Sequence, residues 1–92
     1  MQKPFEWSQE KNRWLQKNRG VCFEDVLAAI ESGSLLMLEK NPSKRYPHQN
    51  VYIVLIRGYV HVVPFVEDEE KIFLKTIIPN RKETKKFYKN KQ

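Results

Sequence analysis

Residues 51–78, VYIVLIRGYVHVVPFVEDEEKIFLKTII, constrain the fold more than any other part of the chain. They form three β-rich runs separated by Arg57-Gly58 and by the acidic group 67–70, the pattern of an antiparallel meander. With a two-residue first turn, the pleat divides the side chains between two faces. One would carry Val51, Ile53, Leu55, Val60, Val62, Val66, Ile72, Leu74 and Ile78, an aliphatic surface that helices must cover. The other would carry Tyr52, Val54, Tyr59, His61, Phe65, Phe73 and Lys75, where rings alternate with polar groups, and it reads as a working surface. A second, thinner core under a loop is the alternative for those rings. The division rests on register, because a slip of one residue exchanges the two faces of a strand.

The flanking segments supply the cover. Residues 3–7 read as a short first strand with Phe5 and Trp7 on one side. Ser8 then offers a cap for a helix over 9–18, which Gly20 ends. Trp7 and Trp14 are read as core anchors, with Lys11 between them placed to snorkel or to reach a phosphate. A second helix over 23–32 shows helical spacing of Phe23, Val26, Leu27 and Ile30, although Cys22 is a weak cap. Residues 34–39 read as an edge strand. The loop 41–50, NPSKRYPHQN, gathers Lys44, Arg45, Tyr46, His48 and Gln49. Past Pro79, Asn80 and Glu83 form a capping-box pattern before a short basic helix over 81–89, which Phe87 and Tyr88 could pin to the body. The expectation is a single α+β domain over 1–92: an antiparallel sheet of about four to five strands, two N-terminal helices and a short C-terminal helix.

Charge narrows the partners. The chain has 17 Lys and Arg against 11 Asp and Glu, a formal charge of +6, with much of the excess near the end. Clustered cations concentrate polyanions and release counterions on binding, so RNA, DNA or an acidic protein is the natural partner. Cys22 is the only cysteine, and no Cys/His cluster suggests a metal site. The longest apolar run, 51–56, is too short to cross a bilayer, so no membrane is expected and the cytoplasm is the expected compartment. No glycine-rich phosphate loop, carboxylate pair or nucleophile motif points to a small-molecule enzyme.

The opening FEWSQEKNRWLQKNRGVCFEDV resembles the start of the BrnT-like toxins of prokaryotic toxin–antitoxin pairs, in which F-E-W, a helical Lys, an Asn and G-V-S-F-E-[DE] recur at this spacing. The ending TIIPNRKETKKFY is similar to their closing segment, and YPHQNVYIV looks like one branch of the family. Arg19 stands where many relatives have His, Cys22 where Ser is usual, His48 where close relatives have Asn, and Thr76, beside Lys75, where many have a strand Arg. The resemblance implies a RelE-like fold and metal-independent cleavage of RNA that stops translation. It also implies a cognate antitoxin, commonly of ribbon-helix-helix type, through which the complex would reach operator DNA. Lys11 matches the family's helical Lys and Arg81 its C-terminal Arg, with Thr84 and Tyr88 in step.

Metal-free cleavage needs a base for the 2′-hydroxyl, cations for the phosphorane and an acid for the leaving oxygen. His48 or His61 suits the base or acid near neutral pH, and Tyr88 or a lysine could donate a proton. Arg45 and Arg81 suit bidentate phosphate contacts, while Lys11, Lys75, Lys82 and Lys85 add charge. Tyr52, Tyr59, Tyr46 or Phe73 could stack a splayed base, and His61 counts with Tyr52, Tyr59, Lys75, Lys82 and Lys85 among the expected RNA-binding residues. The competing expectation is a non-catalytic RNA-binding or protein-interaction module derived from the toxin fold.

Overall fold

A computed structural model of the chain describes residues 3–40 and 50–91. Its described elements are β1 (Phe5–Glu6), α1 (Gln9–Arg19), α2 (Phe23–Glu31), β2 (Leu35–Lys40), β3 (Asn50–Ile56), β4 (Tyr59–Glu67), β5 (Ile72–Leu74), β6 (Ile78–Pro79) and α3 (Arg81–Lys91). The strands form one sheet in the order β1-β5-β4-β3-β2, with β6 also paired to β4. The expected α+β class holds, but the sheet is mixed: β1 runs parallel to β5, while all other pairs are antiparallel. The chain leaves β1 through two helices and enters the sheet again at the opposite edge, so β1 returns beside a strand much later in sequence. The bond from the Ile72 N–H to the Pro4 carbonyl, 3.0 Å long, extends that parallel pairing.

The first turn is the two-residue hairpin expected, with Ile56 opposite Tyr59. Both turn residues have positive φ, 49° at Arg57 and 78° at Gly58, the conformation that matches the twist of the flanking strands. Glycine adopts it freely, whereas Arg57 does so against its Cβ.

The second turn corrects the expected faces. The Asp68 carboxylate accepts the N–H groups of Glu70 at 2.8 Å and Lys71 at 2.9 Å, and these bonds hold it below its ordinary pKa. The turn they fix pairs Phe65 with Leu74. Ile72 and Leu74 therefore share a face with Tyr52 and Phe65, and Phe73 lies with Val66 on the other. The expected third run is also interrupted: β5 and β6 pair with β4 in registers that differ by one residue. Ile77, between them, turns fully into the core.

Coverage is reversed as well. Leu15 of α1 and Phe23, Val26 and Ala29 of α2 pack on the face carrying Tyr52, Val54, Val63, Phe65 and Leu74, which is the main core and not an open working surface. The aliphatic face of Val51, Ile53 and Val60 forms a smaller cluster beneath Phe87 of α3. Trp7 behaves as a core anchor, stacked on Phe23 with ring centroids 5.5 Å apart, but Trp14 is 44% exposed. Leu15, the neighbour of Trp14, takes the inward direction of α1, and one residue further round the helix is 100° away.

Local signals explain the helix ends. Ser8 Oγ accepts the Lys11 N–H, and Gly20 leaves α1 with φ 68°. Asn12 is buried and joins α1 to α2: its amide nitrogen donates to the Glu24 carboxylate at 2.9 Å, and its oxygen accepts the Phe23 N–H at 2.7 Å. Cys22 lacks an oxygen cap, but the Asp25 carboxylate reaches back to its N–H at 3.0 Å, the return half of a capping box. No helix among the described residues is long and apolar enough to cross a membrane.

Candidate nucleic-acid interface

The turn at Arg57-Gly58 is where side chains from three parts of the fold meet. The Arg57 guanidinium bonds the Gly20 carbonyl and lies 3.3 Å from the Asp25 carboxylate, tying the hairpin tip to the α1–α2 junction. These contacts stabilise an arginine in a backbone region that favours glycine. From the other side of the turn, the Tyr88 hydroxyl donates to the Gly58 carbonyl at 2.6 Å.

α3 is fixed close by. The Asn80 side chain caps it by accepting the Glu83 N–H at 2.9 Å, and the Asn80 N–H donates to the Val60 carbonyl. Thr84 is buried; its hydroxyl donates to the Asn80 carbonyl at 2.7 Å and accepts the Val60 N–H at 2.9 Å. With Thr84 and Phe87 turned inward, Arg81, Lys82 and Lys85 are left exposed. Arg81 and Lys85 share the flank of Tyr88.

His61 sits on β4 just past the turn, only 6% exposed, with its ring edge-on to Tyr59 at 5.7 Å. Its Nδ1 lies 2.9 Å from the Tyr59 carbonyl oxygen, which can only accept, so Nδ1 carries the proton and Nε2 holds the lone pair. Burial pushes its pKa below the ordinary value of 6.5, and the nearby Arg57 charge adds to that. The imidazole is neutral at pH 7 and has the tautomer a proton acceptor needs.

A second cationic group lies on α1. The Lys11 ammonium stands 4.4 Å and the Arg19 guanidinium 5.1 Å from the centre of the exposed Trp14 ring, cation–π contacts on one indole. Arg19 also donates to the Ile77 carbonyl at 2.6 Å, which satisfies the backbone where the sheet is interrupted.

The expected residues are thus only partly assembled. Tyr88 reaches the hairpin tip through the Gly58 carbonyl, and Tyr59 and His61 lie on β4 just past it, on the sheet face opposite the one α3 covers; Arg81 and Lys85 are exposed on α3, and Lys11 belongs to the Trp14 group. Lys75 is exposed at the end of β5, where its N–H bonds the Pro64 carbonyl. Its place in the pleat puts it on the sheet face away from α1, so it does not join Lys11. Tyr52 is a correction: its ring is buried in the main core, stacked on Phe65 at 4.2 Å, and has no open face for a base. Phe73 is half-buried. Arg45 and His48, with Lys44, Tyr46 and Gln49, lie outside the described residues.

Arg57, Asp25 and Arg19 were not among the expected site residues. For Arg57 a signal exists, since a large cation stands where two-residue hairpins usually carry Asn, Asp or Gly. Asp25 and Arg19 had none, because their partners are remote in sequence. No group of three or more His, Cys, Asp or Glu among the described residues could hold a metal ion. No family model, curated protein or solved structure matches the chain.

Proposed function

We propose that this chain is an RNA-cleaving toxin of the BrnT-like kind, with a RelE-like fold. It would act in the cytoplasm without a metal and be neutralised by a cognate ribbon-helix-helix antitoxin through which operator DNA is bound. The observation that carries this reading is the neutral His61 imidazole on the strand leaving the Arg57-Gly58 turn, to which the basic helix α3 is bonded through Tyr88. In the proposed reaction His61 Nε2 takes the 2′-hydroxyl proton. The 2′-oxygen then attacks the adjacent phosphorus, and the bond to the 5′-oxygen breaks to leave a 2′,3′-cyclic phosphate. Arg81 and Arg57 offset the charge on the phosphorane. Protonation of the leaving oxygen falls to Tyr88, if it releases the Gly58 carbonyl, or to His48.

A specific observation supports the second reading, a non-catalytic RNA-binding module. The Arg57 and Arg19 guanidiniums already serve backbone carbonyls, and His61 is almost fully enclosed. The distinguishing experiment is inducible expression with primer extension on cellular RNA, alongside binding of the purified protein to single-stranded RNA. Discrete new 5′ ends that disappear in Arg81→Ala and His61→Gln support the enzyme. Salt-sensitive binding with intact RNA supports the module, and the absence of both binding and cleavage removes both readings. Cleavage undiminished in His61→Gln assigns the base to another group, with His48 next to be tested.

A further inference from the structure

The main core is not sealed. Between α2 and the helix-covered face of the sheet, lined by residues from β1 and β5 through to β2, lies a cavity of about 630 Å³, within the range of about 300–1,000 Å³ typical of small-molecule sites. Its apolar wall comes from Phe5, Leu27, Ile30, Leu35 and Ile72, all half-buried, so among the described residues the core ends in an open hollow. Tyr52, only 8% exposed, lines the same hollow. Its hydroxyl is the polar tip of that ring and is not one of the described side-chain atoms sealed from solvent without a partner, which are the Trp7 Nε1 and the Thr76 Oγ1. Burial, with the Glu67 carboxylate nearby, raises its pKa, so the hydroxyl stays protonated and can both donate and accept.

Among the described residues the charges at this hollow are Lys3, Glu31 and Glu67. The Lys3 ammonium is engaged, 2.7 Å from Glu67 and 2.7 Å from the Asp68 carbonyl. Glu31 has no ion-pair partner among the described residues. The hollow is therefore acidic in a basic protein, and an RNA phosphate would be repelled from it. We propose that it binds a hydrophobic amine, an aromatic or alicyclic body bearing one protonated nitrogen. The body fills the space between Phe5, Leu27 and Ile72, the Tyr52 hydroxyl hydrogen-bonds a polar group of the ligand, and the ammonium lies against Glu31. This site is separate from the hairpin tip and does not depend on RNA cleavage.

The test uses tryptamine and indole-3-propionate, which share a ring system and carry opposite charges, titrated into the full chain at pH 7 and followed by amide ¹H–¹⁵N spectra. Tryptamine is expected to shift the Leu27, Tyr52 and Ile72 amides saturably, with indole-3-propionate at least tenfold weaker. Glu31→Gln, an exposed substitution that leaves the core intact, should weaken tryptamine about two- to fivefold, as for a partly exposed ion pair. Leu27→Trp, which fills the hollow, should abolish binding while the spectrum stays dispersed. Equal affinity for the two probes, shifts confined to other residues, no saturable shift with either probe, or full tryptamine affinity in Glu31→Gln would each overturn the proposal.

Discussion

On one face of the β3–β4 hairpin, Tyr52, Val54, Val63 and Phe65 lie beneath α1 and α2; on the other, among the described residues, Val51, Ile53 and Val60 lie beneath α3. By composition the first is the more polar face, since Tyr59 and His61 also belong to it, yet it forms the main core. The difference comes from what the helices can offer. α2 brings Phe23, Val26 and Ala29, buried together, whereas α3 is mostly charged and contributes Phe87 and Thr84. Leu36 and Met37 at the rim of the α3 side accordingly stay 37% and 51% exposed. A face becomes core when enough apolar volume arrives to cover it, whatever polar groups it also carries.

The sharpest way to break this comparison is to truncate one ring on each face. Phe65→Ala should cost about 3–5 kcal/mol, as expected for a fully enclosed phenyl. Phe87→Ala should cost about 1–2 kcal/mol, since that ring is only half-buried. Urea unfolding of both variants measures the gap, and equal losses would mean that the two faces are equally enclosed. Thr84→Val tests how α3 is held, because it keeps the shape and leaves the Val60 N–H without its partner. A loss of about 1–3 kcal/mol is expected in the same assay. Tyr88→Phe removes only the bond to the Gly58 carbonyl, and about 0.5–1.5 kcal/mol is expected.

The smallest effect concerns pH. His61 titrates in the fold below 6.5 because it is buried on the helix-covered face, while the unfolded chain takes up that proton at about 6.5. Below that pH the unfolded state binds more protons, so acid removes stability until the folded imidazole also titrates. Urea midpoints at pH 7.5 and pH 5.5 should fall more for the native chain than for His61→Gln. Parallel losses would show that other groups carry the acid sensitivity.

Much of the architecture was legible because its signals are local. Ser8, Gly20, Asn80 and the helical spacing of α2 act within one or two turns of their own helices, and the Arg57-Gly58 break fits a two-residue hairpin. The site was less legible. Tyr52 and Tyr59 look equivalent in the sequence, but one stacks on Phe65 in the core and the other stays 37% exposed. Arg57 and Arg19 find their partners, Gly20 and Ile77, 37 and 58 residues away, a relation that no local pattern encodes.

The sequence by itself determined the three helices, the first hairpin and its turn, and an edge strand over 34–39, one residue short of where β2 ends. These follow from backbone preferences, capping groups and side-chain periodicity, which act over a few residues. Only the tertiary structure decided that β1 would run parallel to β5, that Asp68 would set the register of β5, and which face α1 and α2 would cover. Each of these compares burial and hydrogen bonding summed over segments far apart in the chain, and such sums exist only once those segments are packed together.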